Sequence, residues 1–482
     1  MAKSIKKNFI FNILLNLSKV IFPLITAPYV ARVLAPEGVG LYNFAIIYVG
    51  YFALFAVLGV ATYGVRETAR LRDDKDGLNR FVSEIISIEL FLTILVSIIF
   101  LATLFVIPQL NKNFEIFLVA GITLYTSPFI IDWYYKGIED FKFITIRSLL
   151  IKTLSILALF VFVKTRDDLI IYVLIYSLAN VANEVWNFIV LYKCGIYPHI
   201  TTRGLKQHMK PLLILFLSSI AISIYTTLDT LMLGFISNYS EVGFYNNATH
   251  ISRALLMVIT SLAIVAMPRI SYYIANGNVD EINKLIEKSV SIISFLAFPL
   301  SFSLLLISPT FVPLFFGNDF VGTIAPMQIL SLLLVIIGFN NLTGTQILLS
   351  YGCDKPFLYS VIAGTISNFI LNLALIPLLG AIGASIASVF AEAIVLIVSI
   401  VYVRKSTNIH ISSWSDVYKC IVGLIGIYTG YIISSVFTAG WIQIIVFAVI
   451  GTSFYFIIEA VLKNTVIENG YTMIQEKIKT KR

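Results

Sequence analysis

Apolar residues fall in long blocks, and the polar residues between them cluster in short segments with turn chemistry. A block of about 20 apolar residues is the length at which an α-helix crosses the ~30 Å hydrocarbon core of a bilayer. The pattern predicts fourteen spans, at roughly 8–34, 40–65, 81–107, 114–135, 143–163, 168–192, 211–237, 242–267, 283–307, 322–349, 357–378, 381–403, 415–437 and 441–462. The breaks carry residues that end helices, among them Ala35-Pro36-Glu37-Gly38, Pro108-Gln109-Leu110-Asn111, Gly352-Cys353-Asp354-Lys355-Pro356 and Ala439-Gly440. The predicted fold class is therefore an all-α, polytopic membrane protein.

Composition agrees with the pattern. Hydrophobic residues make up 58% of the chain and charged residues 12%, against roughly 25% charged in soluble domains. Lys3, Lys6 and Lys7 precede an apolar run from Asn8 to Leu34. That run is longer than the roughly 7–15 residues of a signal-peptide core and lacks a small-residue cleavage site, so it is read as a retained first span. The three cysteines, Cys194, Cys353 and Cys420, are too widely spaced for a disulfide framework or a metal site.

Charge then sets the orientation, because Lys and Arg concentrate in cytoplasmic loops. With the N-terminus inside, the cytoplasmic segments hold 27 of the 34 basic residues. The outer loops hold Lys112, Lys164 and Arg166, and four basic residues lie within spans. The alternation supports an even number of spans with both termini cytoplasmic. The net charge of +8 is thus a topology signal and not a nucleic-acid footprint. The tail from Thr465 combines Val466, Ile467, Tyr471, Ile474 and Ile478 with Lys477, Lys479, Lys481 and Arg482. It is read either as an interfacial helix on the anionic leaflet or as a solvated tail.

A repeat divides the spans. Val39-Gly40-Leu41-Tyr42-Asn43 matches Val242-Gly243-Phe244-Tyr245-Asn246 at an offset of 203, and the same offset pairs Arg66 with Arg269. The matching segments open spans 2 and 8. An even number of spans separates them, so the halves insert with the same sense, as a parallel repeat. The expected organisation is an N-terminal six-helix lobe at 1–200, a second six-helix lobe at 201–405, two further helices at 406–463 and a tail at 464–482. Two such lobes are expected to meet at a central cleft.

Catalytic signatures are absent. The chain has no Gly-Lys-Ser/Thr phosphate loop and no His-Glu-x-x-His helix. His199, His208, His250 and His410 are too scattered for a zinc cluster, and no cofactor is predicted. The longest expected outer loop, about Ser308–Val321, contains one acidic residue, Asp319. A membrane-embedded glycan polymerase or transferase would need a larger one.

Polar residues inside spans carry the remaining information, since a charge at mid-bilayer costs roughly 2.5–3.5 kcal/mol on the insertion scale. In span 1, Asn12, Asn16, Lys19 and Thr26 share one helical stripe. Pro23 lies on it and Pro28 follows, and the two prolines are expected to kink the helix. Span 8 places Asn246, His250, Arg253 and Thr260 on one face. Span 7 has Ser219, Ser223, Thr226 and Thr230 on a face with Asp229 beside it, and span 6 carries Asn180, Glu184 and Asn187. In one reading, Lys19, Arg253 and Lys152 line a polar cavity that receives an anionic substrate. In the other they form internal ion pairs, Lys19 or Lys152 with Glu89 or Glu184, and Arg253 with Asp229. Asp229, Glu184 and Glu392 are candidates for ion coupling or, equally, structural partners. Arg32 is expected to snorkel to the interface. Arg66 and Arg269 are read as cytoplasmic anchors or as a cationic rim for an anionic headgroup.

The stretch Ala27-Pro28-Tyr29-Val30-Ala31-Arg32-Val33-Leu34-Ala35-Pro36-Glu37-Gly38-Val39-Gly40-Leu41-Tyr42 resembles the opening of the bacterial polysaccharide, or O-antigen (Wzx-type), flippases of the multidrug/oligosaccharidyl-lipid/polysaccharide superfamily. Asp132-Trp133-Tyr134-Tyr135-Lys136-Gly137-Ile138-Glu139-Asp140-Phe141 and the run from Leu228 through Tyr245 to Pro268-Arg269 are similar to the same family. The resemblance covers about residues 5–405. It implies a non-enzymatic transporter of the cytoplasmic membrane that moves an undecaprenyl-diphosphate-linked oligosaccharide between leaflets by alternating access. It also implies that Lys19 and Arg253 hold the diphosphate, with Asn12, Asn16, Asn246, His250 and Lys152 around them. Glycan polymerase and glycosyltransferases are the implied protein partners, beside membrane lipids, and nucleic acid is not one. The rival readings are a multidrug/cation antiporter of the same superfamily, which would favour an acidic residue where span 1 has its Asn/Lys stripe, a membrane-embedded glycan polymerase or transferase, and a non-transporting scaffold.

Overall fold

The computed structural model describes residues 5–407, 409, 414–437 and 440–480, so His410 and the final two basic residues of the tail lie outside the described residues. Helices account for nearly all of them, and no strand occurs among them. The chain divides at Phe235/Ile236 into two compact units.

In the first unit, α1 (Ile5–Val57) is 53 residues long. At 1.5 Å per residue that is about 80 Å, more than twice the bilayer core. The helix is broken once, at Ala35, whose φ of 56° and ψ of 174° leave helical geometry. The break falls at the expected Ala35-Pro36 turn, so α1 holds spans 1 and 2. Pro23 and Pro28 do not interrupt it: the only residue with non-helical dihedrals is Ala35. Gly59, with φ of 76°, separates α1 from the short α2 (Val60–Leu71). Asp74 then caps α3 (Lys75–Val106) by accepting from the Gly77 amide, with Asp76 in the first turn, where acidic side chains meet the positive end of the helix dipole.

Span 4 is not one helix. The expected break at Pro108–Asn111 is itself a short helix, α4, and the span is built from α5 (Phe114–Ala120), α6 (Ile122–Tyr125), a 3-10 turn at Ser127–Phe129 and α7 (Asp132–Gly137). The expected single span at 114–135 thus lacked the signal of Ser127-Pro128, where the proline cannot donate and the chain tightens. α8 (Phe141–Phe162), capped by Asp140, α9 (Leu169–Lys193) and α10 (Leu205–Ile236) complete the unit. Its core gathers Val60, Tyr63, Phe81, Ile85, Ile131, Trp133, Tyr135, Leu212 and Phe216.

The second unit begins with α11 (Tyr239–Ala275) and α12 (Val279–Phe316), whose caps Asn238 and Asn278 accept from the amides of Glu241 and Glu281. α12 and a 3-10 turn at Asn318–Thr323 occupy most of the expected outer loop 308–321, and the helix accommodates Pro299, Pro309 and Pro313. α13 (Ile324–Ser331), α14 (Leu333–Asn340) and a π-helical stretch at Asn341–Leu348 form span 10. α15 (Asp354–Leu379) and α16 (Ala381–Ser406) follow, joined at Gly380, whose φ of 54° suits glycine. Glu241 of α11 accepts from the Ala381 amide at 2.7 Å, capping α16 from outside.

α17 (Trp414–Ser434) and α18 (Trp441–Val461) pack through glycine. A Cβ at Gly430 would lie 2.4 Å from the Cα of Gly451, and one at Gly426 2.7 Å from the Phe454 carbonyl carbon. Such close approach is how helices associate where lipid removes the hydrophobic drive. The pair joins α12 through Phe295, Ile307, Cys420, Ile427, Phe447 and Tyr455. α19 (Thr465–Thr480) is helical, as the interfacial-helix reading of the tail requires.

Among the described residues, twelve helices are long and apolar enough to cross a membrane, with a shorter apolar segment at Phe114–Phe129. Counting α1 as two spans and adding the shorter segment gives the expected fourteen. On α3, Phe91, Ile94, Leu95, Ile98 and Phe105 are exposed. A stripe of this kind is an aggregation hazard in water and ordinary contact surface in lipid. The chain is a multi-pass membrane protein.

The two asparagines of the repeated sequence make the same local bond, as Asn180, Asn183 and Asn276 also do. Asn43 donates its side-chain amide to the Val39 carbonyl at 2.8 Å, and Asn246 donates to the Val242 carbonyl at 2.9 Å. Each bond satisfies a polar amide within its own helix turn.

Candidate functional site

The first unit assembles a cationic cluster on α1 and α8. Thr145 donates to the Phe11 carbonyl at 3.0 Å, fixing α8 against the start of α1. Two turns on, the Lys152 ammonium donates to the Ser18 hydroxyl at 3.0 Å and lies 5.5 Å from the centre of the Phe22 ring. Ser18 is buried and passes its own proton to the Leu15 carbonyl at 2.7 Å. Lys152 is half-buried, and Lys19, next in sequence to Ser18, is exposed and near enough to repel it. Asn16 donates to Asn12 at 3.4 Å on the adjoining surface.

No carboxylate pairs with Lys19 or Lys152 among the described residues. The expected partners are elsewhere. Glu89 is fully buried and neither of its carboxylate oxygens has a hydrogen-bond partner; Glu184 is buried with one oxygen unpartnered. The ion-pair reading of Lys19 and Lys152 is therefore not what this unit adopts.

Glu184 adjoins a buried network that sequence reading missed. Arg147, 3% exposed, donates to Asp132 and to Asn183, both at 3.0 Å, while Asn187 donates to the same Asp132 oxygen at 2.9 Å. Tyr135 closes the network onto the Asn187 carbonyl at 2.5 Å. Arg147 sits at the edge of span 5, where basic residues are read as interface anchors, and the signal that could have corrected this was Asn183 and Asn187 one turn apart on span 6. Asp229 is also buried, on α10, with Tyr51 nearby.

In the second unit α11 carries the other predicted residues. Asn246 is buried and spends its amide on Val242. His250 and Arg253, one turn apart, are exposed and interact electrostatically. On α16, Glu392 receives the side-chain amide of Asn340 on its carboxylate at 2.5 Å and on its carbonyl at 3.0 Å. Asn340 directly precedes the π-helical stretch, a geometry that recurs at functional sites.

The chain matches the family described as polysaccharide biosynthesis protein over residues 5–274, and the MatE family over residues 215–374. A protein of Escherichia coli (strain K12) named for O-antigen transport is 27% identical over 406 residues, covering 84% of this chain and 97% of its own length. A second protein so named, from Shigella dysenteriae, is 21% identical over 81% of this chain and 98% of itself. Among solved structures, the lipid II flippase MurJ in an inward closed conformation has the same fold: TM-score 0.75 at 16% identity, covering 95% of this chain and all of the other. An inward-facing multidrug resistance transporter of the MATE family aligns with TM-score 0.62 at 17% identity over 82% of this chain and 97% of its own. The polysaccharide biosynthesis match spans more than half of the chain and takes in Lys19, Lys152 and Arg253, and this protein belongs to that family, as the motifs at 27–42 and 132–141 had led us to expect.

Proposed function

We propose that this protein is a flippase that carries a lipid-linked oligosaccharide from one leaflet of the cytoplasmic membrane to the other by alternating access. The observation that carries the reading is the pairing of Lys19 with Lys152 beside the Asn12–Asn16 amides, with no carboxylate to neutralise them. A diphosphate faces a prohibitive cost in leaving water unless fixed cations replace its hydration. Lys19 and Lys152 supply that charge in the first unit. Arg253, with Asn246 and His250, supplies it in the second, and undecaprenyl diphosphate is the carrier. Hydroxyl and amide stripes receive the sugars. The family and the O-antigen and lipid II relatives support the same substrate class.

The remaining parts follow the same reading. The spans group as six, six and two, both termini are cytoplasmic, and Asp229, Glu184 and Glu392 are coupling candidates. A glycan polymerase and glycosyltransferases supply and consume the cargo, and the chain itself performs no covalent chemistry. The test is Lys19→Ala and Arg253→Ala, each scored for surface glycan and for protein in the membrane. Both variants are expected to remain in the membrane and to lose glycan display; normal display from both would overturn the reading.

A further inference from the structure

A polar concavity of about 510 Å³ opens in the first unit among α2, the start of α3 and the start of α10. It shares no lining residue with the Lys19–Lys152 cluster. Its size lies within the roughly 300–1,000 Å³ typical of small-molecule sites.

The floor is rigid and hydrogen-bonded. His208 and Glu84 meet at 2.7 Å, Tyr63 and His208 at 2.8 Å, and Gln207 donates to the same Glu84 oxygen at 3.0 Å. An ionised Glu84 only accepts, so the His208 Nε2 donates to it while Nδ1 pairs with the Tyr63 hydroxyl. Outside the lining, the segment between α9 and α10 is strapped to α3. The amides of Tyr197, His199 and Thr201 donate to Asn79, Ser83 and Ser87 at 2.9, 3.1 and 2.9 Å.

The rim is different. Arg66 and Arg70 flank Glu67 at 3.4 and 2.7 Å, yet their side chains are 63% and 73% exposed while Glu67 is 12% exposed. Arg80 lines the same mouth, exposed and without a bonded partner among the described residues. Guanidinium groups thus dominate the mouth, with the exposed Asp74 carboxylate beside them accepting from the Gly77 amide, and the carboxylates of Glu67 and Glu84 lie inward.

Such layering fits a ligand with an anionic end and a hydroxyl-rich end. Guanidinium binds phosphate through paired N–H donors, and buried carboxylates accept from hydroxyls. We propose that this concavity binds a glycosyl phosphate, with the phosphate on Arg80 and Arg66 and the sugar toward Glu67. The proposal stands apart from transport through Lys19 and is tested by binding alone.

The full-length protein, purified in detergent, is titrated with glucose 1-phosphate, inorganic phosphate and glucose. Glucose 1-phosphate is expected to bind saturably and more tightly than either fragment. Arg80→Gln is expected to weaken it about tenfold, and Arg66→Gln similarly. Arg72→Gln, a neighbouring exposed arginine outside the cavity lining, is expected to leave it unchanged. Repeating the titration in nanodiscs of phosphatidylcholine with and without phosphatidylinositol separates the sources. Displacement by the lipid supports a lipid-borne headgroup, and undiminished binding supports a free ligand. Absence of saturable binding, binding no tighter than that of phosphate, or equal loss in Arg72→Gln and Arg80→Gln overturns the proposal.

Discussion

Lys152 donates to Ser18 at 3.0 Å, and this bond between α8 and α1 sets its ammonium beside Lys19. The two cations come from residues 133 positions apart, so their pairing is a property of helix packing. If they act together on one diphosphate, their effects are not additive. Lys19→Gln and Lys152→Gln are each expected to weaken binding of the lipid-linked substrate about tenfold or more, and the double variant to lose less than the product of the two. Ser18→Ala should reproduce a smaller part of the Lys152 effect. Equilibrium binding in nanodiscs measures all four; strictly multiplicative losses would separate the two lysines into independent contacts.

Arg147 is buried and paired with Asp132, whose side chain is 34% exposed, so Arg147 is the charge left bare when Asp132 is removed. Removing one partner of such a pair leaves a bare charge and costs about 3–5 kcal/mol. Asp132→Ala should therefore lower the melting temperature in detergent sharply. Arg147→Met with Asp132→Leu should recover much of the loss, because neither charge then remains. Failure of the double variant to recover would show that Asn183 and Asn187 need the charges to stay satisfied.

The glycine seam of α17 and α18 leaves no room for a side chain. Gly430→Val would drive a Cβ against the backbone of Gly451 and should cost about 1–3 kcal/mol, read as a lower melting temperature. Gly470→Ala on α19, with nothing within 4 Å of the added carbon, should change it little.

The tail helix is tied at its root. Asp416 accepts from Ser291 at 2.6 Å, from Lys419 at 3.0 Å and from Thr465 at the first turn of α19. Asp416→Ala should release α19, seen as faster trypsin cleavage near Lys463 with the membrane portion intact. An unchanged cleavage rate would place the anchor in the Glu459–Asn464 contact, 2.6 Å long.

Much of this architecture was legible in the sequence because lipid imposes a strict length on each helix. The turn at Ala35-Pro36 and the fourteen spans follow from that constraint together with proline and glycine chemistry. The Lys19 stripe was legible too, since a charge in an apolar run stands out. What was not legible depends on distant partners. Arg147 looks like an interface anchor until Asp132 and Asn183 surround it. His208 looks isolated until the chain returns it to Glu84, 124 residues earlier. The fragmentation of span 4 was hidden because its composition is as apolar as that of an intact helix.

The strap on α3 has a built-in length limit. Its three bonds come from every second amide of the segment and every fourth residue of the helix. Two residues of extended chain advance about 6.6–6.8 Å, whereas four helical residues rise about 6.0 Å. The two rulers therefore slip by somewhat under 1 Å at each bond, as the scales of a vernier do. Three bonds, two steps apart, stay in register, and the next pair on the same spacing, Phe91 and Arg203, offers no side-chain acceptor on the helix. The segment is held for a fixed distance and then set free to turn into α10.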